Sequence, residues 1–158
     1  VTKEKSPSMD KMKGGCDQYE INLAKEFQLW KGAAKSIKSN SIMELEHITQ
    51  LHLENQNNIK FPVPPEKQFS TDVNKMGGYF PFETKTSGLY RIAAGSKVWF
   101  DVVDKEKNTL IKSDSFEMQT KCETIFKVVN FKLDGNKKYI LQVNSSTQPT
   151  ANFLISRE

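Results

Sequence analysis

The stretch GLYRIAAGSKVWFDVVD, residues 88–104, decides the fold class. It contains two candidate strands, residues 88–93 and 97–104, in which apolar side chains dominate. Small residues at 94–96 separate them, and Gly and Ser are residue types that tolerate tight turns. The stretch therefore predicts β-structure with short connections rather than helices.

The second of these strands is apolar on both faces. Successive side chains of a strand point to opposite faces, so Val98, Phe100 and Val102 share one face, and Trp99, Asp101 and Val103 share the other. A strand with two apolar faces is central in its sheet or is covered by another element.

Further candidate strands extend the pattern through the second half of the chain. They span residues 78–84, 109–113, 124–133, 138–144 and 152–156, with shorter alternating runs at 51–53 and 59–63. Turn-forming residues separate them, and Asp134-Gly135 between two alternating runs favours a hairpin. Several short strands at this spacing predict a mainly β fold, an antiparallel β-sandwich or jelly roll.

A helical period precedes the strands. Five apolar residues recur at spacings of three and four and share one helical face: Leu23, Phe27, Trp30, Ala34 and Ile37. Asp17 followed by Glu20 is typical of a helix start, and the polar stretch 36–41 supplies a stop. The pattern predicts one N-terminal amphipathic helix packed on the sandwich.

The domain organisation is simple. Residues 1–15 contain four lysines, Pro7 and a Gly14-Gly15 pair, which is typical of a flexible leader. Residues 16–158 then form a single domain. The first residue, Val1, fits a mature chain that has lost a signal peptide, a trimmed chain or a fragment equally well.

Composition argues against two kinds of partner. The formal charge is +4 and the pI is near 9.0, yet only Arg91 and Arg157 are arginines and the lysines are scattered. Readout of bases and phosphates depends on the guanidinium fork, so nucleic acid is not an expected partner. No apolar run approaches the roughly 20 residues of a membrane-spanning helix.

Catalytic patterns are missing from the sequence. The only two histidines, His47 and His52, are predicted to face opposite sides of a strand, so they could hardly form a relay. Motifs for serine nucleophiles, zinc proteases and phosphate loops do not occur. We therefore expect no enzymatic activity, no catalytic residue and no cofactor.

The acidic group Asp101, Asp104 and Glu106 is the densest candidate for a cation. The spacing of a calcium-binding EF-hand loop is absent, and Lys105 and Lys107 are interleaved. A solvated turn is the favoured interpretation, and no metal site is predicted.

Five residues are the candidate binding residues. Tyr79, Phe80 and Phe82 follow a Met-Gly-Gly run beside an irregular polar segment and are the best candidates for an exposed contact surface. Asp101 and Asp104 would supply polar contacts to a ligand.

Asp101 has two interpretations. It shares a strand face with Trp99 and could pair with Lys127 or Arg91 on a neighbouring strand. The pair would then lie under the helix as a structural ion pair, or Asp101 would be the polar anchor of a ligand cleft. Trp99 and Trp30 are both expected in the core.

The two cysteines, Cys16 and Cys122, form no CxxC pair, which argues against zinc and thioredoxin-like chemistry. A disulfide between them would tie the segment before the helix to the second half of the chain. Two unrelated buried thiols are the alternative.

Several motifs together resemble a known group of proteins. They are the cysteine before a helix, FPVPP at 61–65, GLYRI at 88–92, VWFDVV at 98–103, the C-x-x-I-x-K-x-V strand at 122–129 and LQVNSS at 141–146. The chain resembles a group of uncharacterised exported bacterial proteins, and its sandwich half is similar to bacterial pre-peptidase C-terminal domains. The resemblance implies export and a bridge between Cys16 and Cys122, and it brings no catalytic residue.

Two functions are expected from these features. The first is a non-enzymatic accessory or protein-interaction module in the periplasm or outside the cell, as a small subunit whose partner is another exported protein. The alternative is a carbohydrate- or small-ligand-binding sandwich domain, with a glycan as the ligand class.

Overall fold

The computed structural model describes residues 8–66 and 75–158. They contain one α-helix, α1 (Ala24–Trp30). Their strands are β1 (Lys35–Lys38), β2 (Thr49–His52), β3 (Glu54–Asn55), β4 (Met76–Glu83), β5 (Gly88–Ala94), β6 (Trp99–Asp104), β7 (Thr109–Ile111), β8 (Ser115–Met118), β9 (Lys127–Leu133), β10 (Lys138–Ser146) and β11 (Thr150–Arg157).

The strands form two packed sheets. The first has the order β1-β2-β11-β5-β9-β8 and the second the order β3-β4-β10-β6-β7. Neighbouring strands of the described chain pair antiparallel except β1 and β2, which are parallel. A mainly β fold of two packed sheets is therefore confirmed, with one parallel pair that the sequence did not indicate.

The main core lies between the sheets. It contains inward-facing side chains from both, among them Phe100 and Val102 of β6. Phe100 meets Phe153 of β11 edge to face, with ring centroids 5.2 Å apart. Burying large aromatic side chains in this way is the main favourable contribution to a sandwich of this size.

Most links between consecutive strands cross from one sheet to the other. The predicted hairpin at Asp134-Gly135 is wrong, because β9 pairs with β5 and β8 whereas β10 pairs with β4 and β6. The turn packs against the link between β4 and β5: Gly135 N donates to Ser87 Oγ at 2.8 Å, and a Cβ on Gly135 would lie 2.9 Å from Lys85 O. Glycine is thus needed here for close approach of two turns.

The predicted long helix does not form. α1 has only 7 residues, and by Lys35 the chain is extended in β1, where Ile37 pairs with Leu51. Ile37 belongs to the core between the sheets, and Ala34 is exposed. Asp17 lies in a short 3-10 turn, Cys16–Gln18. The helical spacing of Leu23, Phe27 and Trp30 is real, but its continuation to Ile37 was coincidental.

The short helix packs on the outer face of the six-stranded sheet. Leu23, with Phe27 and Trp30 partly buried beside it, contacts outward-facing side chains such as Ala93, Val128 and Leu154. This second apolar cluster gives β5, β9 and β11 buried apolar side chains on their outer faces, in addition to those that face the main core.

Polar contacts fix the same helix. Glu26, only 1% exposed, accepts a hydrogen bond from Ser156 Oγ at 2.8 Å and lies 3.6 Å from Arg91 Nη1. Arg91 Nη1 also donates to Asn22 O at 2.8 Å. A buried carboxylate with these partners holds α1 in one position on the sheet.

The segment before the helix is attached to β8 and the turn that follows it. Glu117 is 0% exposed, and its carboxylate accepts hydrogen bonds from Glu20 N at 2.9 Å and Ile21 N at 3.1 Å. Gln119 Nε2 donates to Lys11 O at 2.8 Å. The Cys16–Cys122 disulfide is confirmed and joins the same two regions.

Part of the predicted leader is ordered. Residues 1–7 lie outside the described residues, but Met12 is 1% exposed and its carbonyl accepts a hydrogen bond from Thr120 N at 3.1 Å. Packing of the chain thus begins before Cys16. The division of the chain into a leader and one domain otherwise stays a prediction.

Removal of the disulfide should destabilise the fold. We expect the double variant C16S/C122S to lose about 2–5 kcal/mol in the free energy of unfolding, because the bridge closes a loop of 106 residues. Urea unfolding of this variant and of the wild type, each with and without reductant, measures the loss. Reductant should lower the stability of the wild type only. An unchanged midpoint in the double variant would contradict the assignment of the bridge as a stabilising link.

Candidate functional site

Two of the predicted contact aromatics lie in the core. Phe80 and Phe82 are 0% exposed, and Phe82 stacks on Tyr139 with ring centroids 5.8 Å apart. The expectation that they form an exposed surface is wrong, because alternation along β4 turns both inward. Tyr79 lies on the opposite face of β4 and is half-buried.

Asp104 holds a turn in place. Its Oδ2 accepts a hydrogen bond from Lys137 Nζ at 2.7 Å, and its Oδ1 accepts from Glu106 N at 3.0 Å and Lys107 N at 3.2 Å. The hydrogen bond from Lys137 is the main reason that the pKa of the Asp104 carboxyl is lowered. Both oxygens are therefore engaged in fixing the link between β6 and β7.

Asp101 lies on the outer face of the five-stranded sheet, away from α1. The predicted ion pair under the helix is therefore wrong: Arg91 pairs with Glu26 on the other sheet. Lys127 exerts only a weak electrostatic effect on Asp101. Asp101 Oδ2 accepts instead from Trp99 Nε1 at 3.1 Å and from Glu66 N at 3.3 Å.

An irregular segment covers this outer face. The strand predicted at residues 59–63 does not form. Instead, Val63 N donates to Gln142 Oε1 at 3.1 Å, and Gln142 Nε2 donates to Val63 O at 2.9 Å. Gln142 is 0% exposed and neighbours Asp101 across β10 and β6. The side chain of Gln142 thus substitutes for a strand in binding the segment to the sheet.

Burial raises the pKa of Asp101. The side chain is 6% exposed, and loss of water is the largest cause of the shift, with the nearby Glu66 carboxylate acting in the same direction. Hydrogen bonds from Glu66 N and Trp99 lower the pKa without cancelling the effect of burial. Asp101 and Asp104 therefore differ in the direction of their pKa shifts although they lie on one strand.

A cavity opens beside Asp101 at one edge of the sandwich. Its volume is about 370 Å³, and it lies where β6 and β7 of one sheet face β8 and β9 of the other. Aromatic and aliphatic side chains dominate its lining: Trp99, Phe100, Ile111, Phe116, Met118, Val129 and Phe131. Polar groups come from Glu66, Asp101, Ser113 and Lys127. A hollow of this size with few polar groups is typical of small-molecule sites.

Lys127 reaches across from the six-stranded sheet to the polar end of the cavity. It is the first residue of β9, and its Nζ lies 5.1 Å from the ring centroid of Trp99 and 5.1 Å from that of Phe100. An ammonium group within about 6 Å of an aromatic face is attracted by the ring electrons. Two rings thus lie within cation–π distance of this ammonium, which lines the same cavity as the carboxylate of Asp101.

One oxygen of Asp101 is available to a ligand. Both hydrogen bonds to this carboxylate end on Oδ2, and none within residues 8–66 and 75–158 ends on Oδ1. Oδ1 is not among the fully buried unpartnered side-chain atoms of the described residues, so it is accessible to water or to a ligand in the cavity. Of the five candidate binding residues, Asp101 alone lines this cavity, and its neighbours Ile111, Phe116 and Met118 carry no local signal in the sequence.

A second hollow lies at another end of the sandwich. Its volume is about 590 Å³, and its lining includes Ile42, Leu45 and Tyr90. Ile42 is 68% exposed, the highest value among the large apolar side chains of the described residues. Several charged side chains line the same hollow, including Glu46, which is paired with Lys25 at 2.9 Å.

Comparisons with known proteins identify no relative. No protein-family model matches the chain, and no curated protein matches it. The resemblance to exported bacterial proteins therefore stays a prediction. Among the described residues, no helix has the length and apolar character needed to cross a bilayer.

Asp101→Asn should stabilise the protein at neutral pH. The raised pKa of Asp101 means that the folded state disfavours the charged carboxylate, so removing the charge should raise the free energy of unfolding at pH 7 by roughly 0.5–2 kcal/mol. The gain should shrink as the pH falls through the raised pKa of the folded state, and it should be absent below the ordinary carboxyl pKa, where the wild-type side chain is protonated in both states. Urea unfolding between pH 3 and pH 8 measures it. A destabilised variant at pH 7 would contradict the prediction.

Asp104→Asn should have the opposite effect. Its lowered pKa means that the folded state favours the charged carboxylate, so the variant should lose about 2 kcal/mol at pH 7 with the charge-assisted hydrogen bond from Lys137. This stabilisation is present above the ordinary carboxyl pKa and disappears as the pH falls through the lowered value. The two stability curves should therefore converge in acid. Parallel curves down to pH 3 would contradict the assignment.

Proposed function

We propose that this protein is a non-enzymatic binding domain that takes a small, mainly apolar ligand into the cavity between β6–β7 and β8–β9. The observation that carries the proposal is a buried carboxylate, Asp101, with an available oxygen in a hollow lined by four aromatic rings. Apolar lining supplies affinity, and a single buried polar group supplies orientation.

The position of the aromatics favours this function over its alternatives. Sugar-binding modules present flat, exposed aromatic platforms, whereas Trp99, Phe100, Phe116 and Phe131 line a concave space. The accessory-subunit function stays a prediction with less support, since Phe80 and Phe82 are in the core.

The compartment is part of the proposal. A disulfide is typical of proteins in an oxidising compartment outside the cytoplasm. We place the domain in the periplasm or outside the cell, which agrees with the resemblance to exported proteins.

Binding can be tested with Trp99 as the reporter. The chain has two tryptophans, so Trp30→Phe leaves only Trp99, at the cavity. We expect small aromatic and alicyclic compounds, tested as neutral, cationic and anionic members of one panel, to change its fluorescence saturably. Calorimetry on the wild type should give the same affinity.

A pair of variants on β7 supplies the control. Ile111→Trp should fill the cavity and abolish binding, whereas Leu110→Trp, one residue away on the opposite face of β7, should leave binding unchanged. If Ile111→Trp fails to fold, Ser113→Trp at the rim of the cavity is a second variant that should block binding. Failure of the whole panel to bind, or equal binding to all variants, would contradict the proposed function.

A further inference from the structure

The polar end of the cavity already holds an ammonium group, that of Lys127. From this we infer that the ligand is a small organic cation with an apolar body, and that Lys127 occupies the subsite for its ammonium group until the ligand displaces it. The inference rests on the proposed function and adds the chemical class of the ligand.

The aromatic rings are arranged for a cation. Lys127 Nζ is 5.1 Å from the centroids of both Trp99 and Phe100. The two rings come from successive residues of β6, whose side chains point to opposite faces. The ammonium therefore lies at the sheet end, where it can reach both rings. A ligand ammonium in the same place would gain the same attraction.

The charges at this end also favour a cation. Among the described lining residues, Asp101 and Glu66 contribute carboxylates to this end and Lys127 contributes an ammonium group. The Glu66 carboxylate is close enough to Asp101 to raise its pKa. When Lys127 moves out, an ammonium group of the ligand would take its place beside these carboxylates, whereas an anionic ligand would bring a like charge next to them.

The hydrogen-bonding capacity of the Asp101 carboxylate also favours a cationic ligand. Asp101 Oδ1 lacks a donor in the described part of the chain, and Oδ2 already accepts two hydrogen bonds. An ammonium group is a donor only and carries up to three hydrogens. An ammonium group bound to Oδ1 would donate a hydrogen bond to this accessible oxygen and pair with the charge of the carboxylate at the same time.

Lys127 is suited to be displaced. It is half-buried at the first position of β9, and its long, flexible side chain can move its ammonium to water. Its departure would free both rings while its positive charge leaves the site. Lys127 thus acts as an internal competitor that lowers the apparent affinity for an external cation.

Three probes with one phenyl body test the inference: phenethylammonium, 2-phenylethanol and 3-phenylpropionate. Their affinities would be measured by calorimetry at pH 7 on the wild type, Lys127→Met, Lys127→Arg and Asp101→Asn. Methionine keeps an unbranched apolar stem without the charge, and arginine keeps the charge.

The expected pattern has three parts. Lys127→Met should bind phenethylammonium about fivefold more tightly than the wild type, because the competitor is gone. Lys127→Arg should remain within roughly twofold of the wild type. Asp101→Asn should weaken phenethylammonium by about tenfold, while 2-phenylethanol changes by no more than roughly threefold in any variant.

Other outcomes would overturn the inference. The wild type could instead bind 3-phenylpropionate more tightly than phenethylammonium, and Lys127→Met could lose the binding of 3-phenylpropionate. This result would make Lys127 the anchor of an anionic ligand. Equal affinity of the wild type for 2-phenylethanol and phenethylammonium would contradict the ammonium subsite but would not contradict the proposed function. Failure of all three probes to bind any variant would overturn the proposed function itself.

Discussion

The carboxamide of Gln142 makes two hydrogen bonds to the main chain of Val63, and the candidate site depends on them. They hold an irregular segment over a sheet face that would otherwise be in water. Glu66, at the end of that segment, then donates its N–H to Asp101. Asp101 loses water in consequence, and its carboxylate becomes a buried acceptor beside an apolar cavity. Without this cover, Asp101 would be an ordinary surface carboxylate on a strand.

The other face of the molecule is organised by the same kind of contact. Buried carboxylates, Glu26 and Glu117, and a buried carboxamide, Gln119, connect α1 and the segment before it to the six-stranded sheet. Glu117 and Gln119 satisfy main-chain groups of the irregular segment before α1, whereas Glu26 of α1 accepts a hydrogen bond from Ser156 of β11. The sandwich therefore has two clusters of apolar side chains. Buried polar side chains attach α1, the segment before it and the segment around Val63 to the sheets.

Alternation of apolar residues identified most of the strands because the side-chain period of a strand is a local property. β4, β5, β6, β9, β10 and β11 all lie close to the predicted ranges. The same signal fails where pairing is short or long-range. Ser115–Met118 became a strand because it pairs with β9, and Ile37 became part of one because Leu51 lies beside it. Neither neighbour is visible in the local sequence.

The candidate site could be predicted only in part, for a related reason. Asp101 was identified by its position in an apolar strand, and this position can be read from the neighbouring residues in the sequence. Which face of β4 is buried, and that Lys127 meets Trp99 across two sheets, depend on the order of the strands. Phe80 and Phe82 were placed on the wrong side because a Gly-rich start to a strand looks the same whether its aromatics point inward or outward.

The placement of the Cys16–Cys122 bridge has a consequence for biosynthesis. During synthesis Cys16 emerges 106 residues before its partner, and the acceptor and donor groups of Glu117 and Gln119 that receive the surrounding segment emerge equally late. The nascent chain must therefore carry the Cys16 thiol unpaired and its surrounding main chain undocked until Cys122 has been made. Three interior strands of the two sheets, β9, β10 and β11, follow Cys122 in the chain, so both cysteines are available to an oxidant before either sheet is complete.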